Sequence, residues 1–263
     1  MSIAIILGIG FVAGIVTGLI GASGVMVIVP GLALLGYSAF DAIGASLFTD
    51  TIASFVVSWT YYQAGNLKLK EGWWIAVGSV LGAQLGSLLS PKIPETGLSG
   101  SFGIFLFVTA ATFWLRGRKK KTALLSKAPA AEMPTENALV KLLRKNVVLS
   151  SLGLGMLVGI LSGLLGAGGG VLILLILVFV LGYKMHEGIG TSTFIMAFTA
   201  ASGTVGHALT GNLPMKAAAF SAVGTVVGSR LAARYANRVD EALLSKIVGV
   251  VFAVLGIAML ILS

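Results

Sequence analysis

Apolar residues run through this chain in long blocks, punctuated by glycine, proline and short charged stretches. Residues 1–40 carry no charge, and neither do residues 146–183. Each run exceeds the roughly 20 residues that one membrane-crossing helix needs, so each must hold a helix, a break and a second arm. The punctuation predicts ten helical segments, over 3–20, 25–36, 42–64, 72–89, 98–115, 147–165, 171–182, 189–209, 215–235 and 243–262. Two of them, 25–36 and 171–182, are too short to span alone.

The two glycine-broken runs, GIVTGLIGASGVMVIVP at 14–30 and GILSGLLGAGGGVLILL at 159–175, are copies of one another. The halves align at an offset of 145, and of 146 beyond Gly36. Gly18 then falls on Gly163, Gly24 on Gly169, DAIGASLF on EGIGTSTF, Gly65-Asn66 on Gly211-Asn212, and Gly78 and Gly82 on Gly224 and Gly228. Matches sustained over this length indicate internal duplication. The predicted organisation is a membrane repeat over 1–115, a basic linker over 116–146 and a second membrane repeat over 147–263.

Hydrophobic residues make up 57% of the 263 and charged ones only 10%, against about 25% charge in soluble domains, which makes this an all-α polytopic membrane protein. The net charge of +9 would suggest nucleic acid in a soluble chain, but half of the 18 basic residues lie in the linker. Positive-inside bias explains that concentration and leaves no nucleic-acid partner to invoke. If the linker is cytoplasmic and each half has five crossings, the halves are inverted and both termini lie outside. Fifteen cations then fall inside, against only Lys92 and Lys216 outside. Re-entrant short arms would give parallel halves and a poorer balance. The expected location is the inner (cytoplasmic) membrane, in contact with lipid, with a homo-oligomer possible.

Repeated broken helices are the mark of carriers whose substrate sits where the breaks meet. GASG at 21–24 and GAGGG at 166–170 precede the short arms, where free backbone N–H groups and the helix dipole favour an anion. The candidate substrate-binding residues are Gly21, Ala22, Ser23, Gly24, Ser46, Thr49, Gly166, Gly168, Gly169, Gly170, Ser192 and Thr193. Gly14, Gly18, Gly159 and Gly163 are read instead as packing positions. Asp50, an acid inside a predicted span, must be protonated, paired or water-facing. Asp50, Arg230 and His207 are the charge or coupling candidates, with Arg230 either pairing with Asp50 or snorkelling outward. His207 matches Tyr61; interfacial anchoring suits both, as it suits Trp59, Tyr62, Trp73 and Trp74.

No cysteine is present, which removes disulfide and thiolate chemistry, and two histidines are too few for a His-cluster metal site. Neither glycine cluster is followed by Lys-Ser/Thr, so neither is a P-loop. No cofactor is expected, and the lack of a His/acid constellation argues against an enzyme.

GIVTGLIGASGVMVIVPGL, its copy GILSGLLGAGGGVLIL, and the runs IGTSTF, HALTGN and GTVVGSRLA together resemble the TauE/SafE family of sulfite and organosulfonate exporters. The resemblance covers nearly all of the chain outside the linker. It implies a transporter of small sulfur-containing anions such as sulfite, sulfoacetate or related sulfonates. The copies differ, with Ser23 and Val25 in one where Gly168 and Gly170 stand in the other, so two binding loops would act unequally.

Overall fold

A computed structural model describes residues 3–69, 72–89, 146–165 and 169–262. The predicted segment 98–115, nearly all of the 116–146 linker, and Gly166 and Gly168 lie outside the described residues. Within them the structure is entirely helical: α1 (Ile3–Ile20), α2 (Val25–Ala33), α3 (Ala39–Gln63), α4 (Gly72–Leu89), α5 (Val147–Leu165), α6 (Gly170–Leu175), α7 (Met185–Leu209), α8 (Met215–Ala236) and α9 (Glu241–Leu262). Helices α1, α3, α4 and most of α5 are long and apolar enough to cross a membrane.

Helices begin where a side chain can satisfy their free N–H groups. Ser38 Oγ accepts from Asp41 N–H at 3.1 Å, which starts α3 at Ala39 rather than at the expected 42. The α7 start moves from 189 to Met185 for a similar reason, because Glu187 reaches back to Lys184 N–H at 3.3 Å. The short arms stop early. The α2 helix ends at Ala33, and the chain turns at Gly36, whose φ of +85° suits only glycine. The α6 helix passes into a π-helical turn over Ile176–Val180, the kind of local widening found at breaks and functional sites.

Helices pair across the two halves. Along α1, Gly10, Gly14 and Gly18 press against the backbone of Ser221, Thr225 and Ser229 on α8, so the two helices run in the same direction. In the same way Gly155, Gly159 and Gly163 of α5 meet Ile75, Ser79 and Ala83 on α4. Small residues let these backbones touch, and without a hydrophobic drive between helices such close packing is what holds them together in lipid. Hydroxyls tie the pairs to the centre: Thr225 Oγ1 donates to Gly10 O at 2.8 Å, Ser79 and Thr199 join α4 to α7 at 2.6 Å, and Thr49 and Ser221 join α3 to α8 at 2.8 Å.

At the core, the matched helices α3 and α7 cross in opposite directions. Gly44, near the start of α3, abuts Asn212 and His207 beyond and at the end of α7, while Gly190, near the start of α7, abuts Asn66 and Tyr61 at the end of α3. Equivalent helices that run antiparallel make the two halves inverted copies. The α1 and α3 helices run parallel, because Gly18 meets Tyr61 at one end and Ile6 shares a cluster with Ala42 at the other. The chain therefore returns the full distance between them. It does so through 21–24 and then the nine-residue α2, about 14 Å long at 1.5 Å per residue. Neither a re-entrant loop nor a full spanning helix describes this return: it is a crossing made of a loop and half a helix.

The α9 helix belongs to a second compact unit and is capped by Asp240, whose Oδ1 accepts from Leu243 N–H at 2.7 Å.

Candidate functional site

The first break is built around Asp50, halfway along the 25-residue α3 and fully buried. Its Oδ1 accepts from Gly24 N–H at 2.8 Å, and its Oδ2 accepts from the Ser23 hydroxyl. Ser23 Oγ in turn accepts from Val25 N–H at 3.1 Å. The carboxylate thus caps the N-terminus of α2, where free donors and the dipole favour negative charge. The protein supplies its own anion to the site that sequence reasoning left open for a ligand.

The second break abuts the first. Gly170 lies so close that a Cβ there would come 2.6 Å from Gly21 O, 2.6 Å from Met196 Sδ and 3.1 Å from Ala22 Cα. Met196 is halfway along α7, at the position matching Asp50. Gly169 caps α6 with φ +71°, whereas the matched Gly24 has φ −73°. Gly21, Ala22, Ser23, Gly24, Gly169 and Gly170 are therefore brought together, all of them buried.

The hydroxyls divide. Ser192 Oγ donates to Ile189 O at 3.0 Å and reaches Gly21 O at 3.5 Å, which places it over the first break. Ser46, its counterpart, is buried with no hydrogen-bond partner among the described residues, and so is Ser54. Ser46, Asp50 and Ser54 follow one another at four-residue spacing along one side of α3. Thr49 is engaged with Ala45 O and Ser221, and Thr193 with Ile189 O and Gly190 O, so both hydroxyls are spent on helix carbonyls and packing.

The charge candidates separate. Arg230 is exposed on α8 and does not pair with Asp50; the ion pair found among the described residues is Lys68–Glu187, at 2.7 Å. His207 and Tyr61 are buried rather than interfacial, at 1% and 0% exposure. His207 Nε2 approaches Gly163 O at 3.4 Å, and Tyr61 O–H donates to Gly18 O at 3.4 Å. Each ring faces inward to brace the glycine-rich helix of its matched pair. Trp59, Tyr62, Trp73 and Trp74 are exposed, as headgroup-level aromatics should be.

A family model described as "Sulfite exporter TauE/SafE" matches residues 6–259. The chain belongs to the TauE/SafE family. It is 26% identical to the "Probable membrane transporter protein YunE" of Bacillus subtilis (strain 168), over 97% of this chain and 96% of that one. It is 25% identical to the "Probable membrane transporter protein YdhB" of the same organism, over 95% and 97%. A "Probable membrane transporter protein" of Xylella fastidiosa (strain Temecula1 / ATCC 700964) is 32% identical over 42% of each chain. No solved structure matches.

These relatives are named as transporters, not enzymes, and this TauE/SafE chain is a multi-pass membrane transporter. Its inverted halves meet at two broken helices of unequal chemistry, one holding an acid and the other a thioether. Such a centre presents backbone dipoles and one acid to a small ion.

Proposed function

We propose that this TauE/SafE protein is a secondary transporter that moves a small sulfur-containing anion, such as sulfite, sulfoacetate or a related organosulfonate, by alternating access across the inner membrane. The observation that carries the reading is the meeting of the two breaks, with Gly170 packed on Gly21 and Ala22 between the midpoints of α3 and α7. Family membership supports the sulfur preference. Residues 21–24, with Gly21 N–H held by Thr17 O and Gly24 N–H by Asp50, together with Gly169, Gly170 and the hydroxyls of Ser23, Ser46 and Ser192, form the anion's surroundings. Gly166 and Gly168 belong to the same loop by sequence. Thr49 and Thr193 hold the neighbouring helices in place.

The end formed by the C-terminus of α3 and the N-terminus of α7 gathers Lys68 and Lys184, with Arg234 near the end of α8, while the opposite end carries Lys216. This arrangement supports a cytoplasmic location for the first end by the positive-inside rule. Rocking one half against the other would open the breaks to alternate sides.

Uptake and counterflow of radiolabelled sulfite or sulfoacetate in proteoliposomes test the reading. Gly24→Leu, which puts bulk against Ala13 and Asp50, is expected to lower saturable counterflow at least about tenfold, about 1.4 kcal/mol of lost transport free energy, in protein that still elutes as a folded species. Unaltered transport by that variant would refute the site. Conductance rising linearly with concentration, without counterflow, would instead mark a channel for another small ion.

A further inference from the structure

The carboxylate of Asp50 occupies the place that an anionic substrate would seek, and among the described residues no Lys or Arg pairs with it. We propose that Asp50 is a proton-binding site and that the protein carries one proton together with each anion. This rests on the transport reading above.

The groups around the carboxylate are hydrogen-bond donors, the Gly24 N–H and the Ser23 hydroxyl. A hard metal cation would instead need a cage of oxygen acceptors. Among the described residues, no other ionisable group faces Asp50. Helices α1 and α2 contain none. On α3, Asp41 sits at the helix start, Tyr61 bonds Gly18 O and Tyr62 is exposed. On α7, His186 approaches Ala236 O, Glu187 pairs with Lys68, and His207 approaches Gly163 O at the far end. On α8, Lys216, Arg230, Arg234 and Tyr235 are exposed. Among the described residues, the charge of Asp50 is therefore left to be neutralised by a proton.

Ser23 can report that charge. With Asp50 ionised, the Ser23 hydrogen is committed to Oδ2, and the buried negative charge repels an anion. When a proton binds at Oδ2, that O–H becomes the donor and Ser23 Oγ the acceptor. The Ser23 hydrogen is then released to point toward an anion in the break. Gly24 N–H keeps Oδ1 in both states, and Ser23 Oγ can go on accepting from Val25 N–H. No covalent bond other than the O–H is made or broken. Proton and anion bind together and travel the same way, the direction being set by their gradients.

A polar track leads to the site. Ser46 and Ser54, buried and unpartnered among the described residues, lie one turn to either side of Asp50, and Ser58 continues the row toward the α3 C-terminus. The matched row on α7, Ser192, Met196, Ala200 and Thr204, has no acid, and its hydroxyls stand only at its two ends. Proton binding is thus assigned to one half only.

Full-length protein in proteoliposomes, with radiolabelled sulfoacetate as probe, tests this. If neither sulfoacetate nor sulfite shows counterflow in the wild type, the transport reading fails and this proposal with it. If counterflow occurs but an inward acid gradient does not raise uptake, the proton site alone is overturned. The expected wild-type result is up to about tenfold faster uptake per pH unit of gradient, the limit for one linked proton. Asp50→Asn, whose Oδ1 can accept from Gly24 N–H and whose amide N–H would donate to Ser23 Oγ as the protonated acid does, should show counterflow without gradient stimulation, and Asp50→Glu should restore part of it. Stimulation persisting in Asp50→Asn would overturn the proposal. Ser23→Ala should raise KM for sulfoacetate about tenfold, about 1.4 kcal/mol, while the gradient still stimulates. Should Asp50→Asn not fold, a pH indicator inside wild-type vesicles decides: about one proton entering per anion supports the site, and none overturns it.

Discussion

The two breaks descend from one sequence and now differ at Ser23 against Gly168, Val25 against Gly170, and the facing Asp50 against Met196. In the first, Ser23 and Gly24 bind a carboxylate from the middle of α3. In the second, Met196 stands where that carboxylate would be, Gly169 takes the left-handed conformation, and Gly170 has given up its side chain to let the first break approach. Duplication supplied two equivalent breaks, and divergence made one a polar, chargeable wall of the proposed site and the other a close-fitting backbone surface. A small anion held between unequal walls has a defined orientation, which a symmetric site could not impose.

Putting an acid into the second break should break this comparison most severely. Met196→Asp buries a carboxylate where no serine matches Ser23, and about 3 kcal/mol of stability should be lost, read as a lower thermal midpoint in detergent; an unchanged midpoint would mean that the second break can hold an acid too. Gly170→Val gives the second break the residue that the first has at Val25. The new Cβ would collide with Gly21 O and Met196 Sδ, and overpacking of that kind costs about 2 kcal/mol, visible in the same melting experiment. The smallest effect is expected where the two ends of the protein differ. Lys68–Glu187 has no counterpart at the other end, where Pro214 and Asp41 take the matched positions. Lys68 is more than half exposed, so Glu187→Gln should shift stability by only about 0.5 kcal/mol and less still in high salt.

Much of this architecture was legible in the sequence. The uncharged runs, the glycine punctuation and the 145-residue offset locate the described helices to within a few residues, because apolar length and repeat spacing are local properties. The expected inversion of the halves agrees with the antiparallel α3 and α7. Which side a residue faces was harder to read. Tyr61 and His207 sit near helix ends, where anchors belong, yet their helix faces turn them inward to Gly18 and Gly163. Arg230 lies within the α8 span but on its exposed face, away from Asp50.

The bond between Ser23 and Asp50 joins residues 27 apart, beyond the reach of helical periodicity. A signal for it was nevertheless present inside the duplication. Ser23 and Asp50 occur together in one half, while Gly168 and Met196 replace both in the other. Two positions that change together between copies of one unit are candidates for contact, and here they touch.

The glycine-lined pairing of α1 with α8 has a consequence for how the protein is made. The surface of α1 that carries Gly10, Gly14 and Gly18 finds its partner only when residues 221–229 have been synthesised. At about 5–20 residues per second, the first helix leaves the ribosome on the order of tens of seconds before its partner does. During that interval its narrow, side-chain-poor face must rest against lipid, the insertion machinery or another glycine-rich helix. Assembly quality is therefore decided late in translation, when the last helices of the core arrive to claim the first.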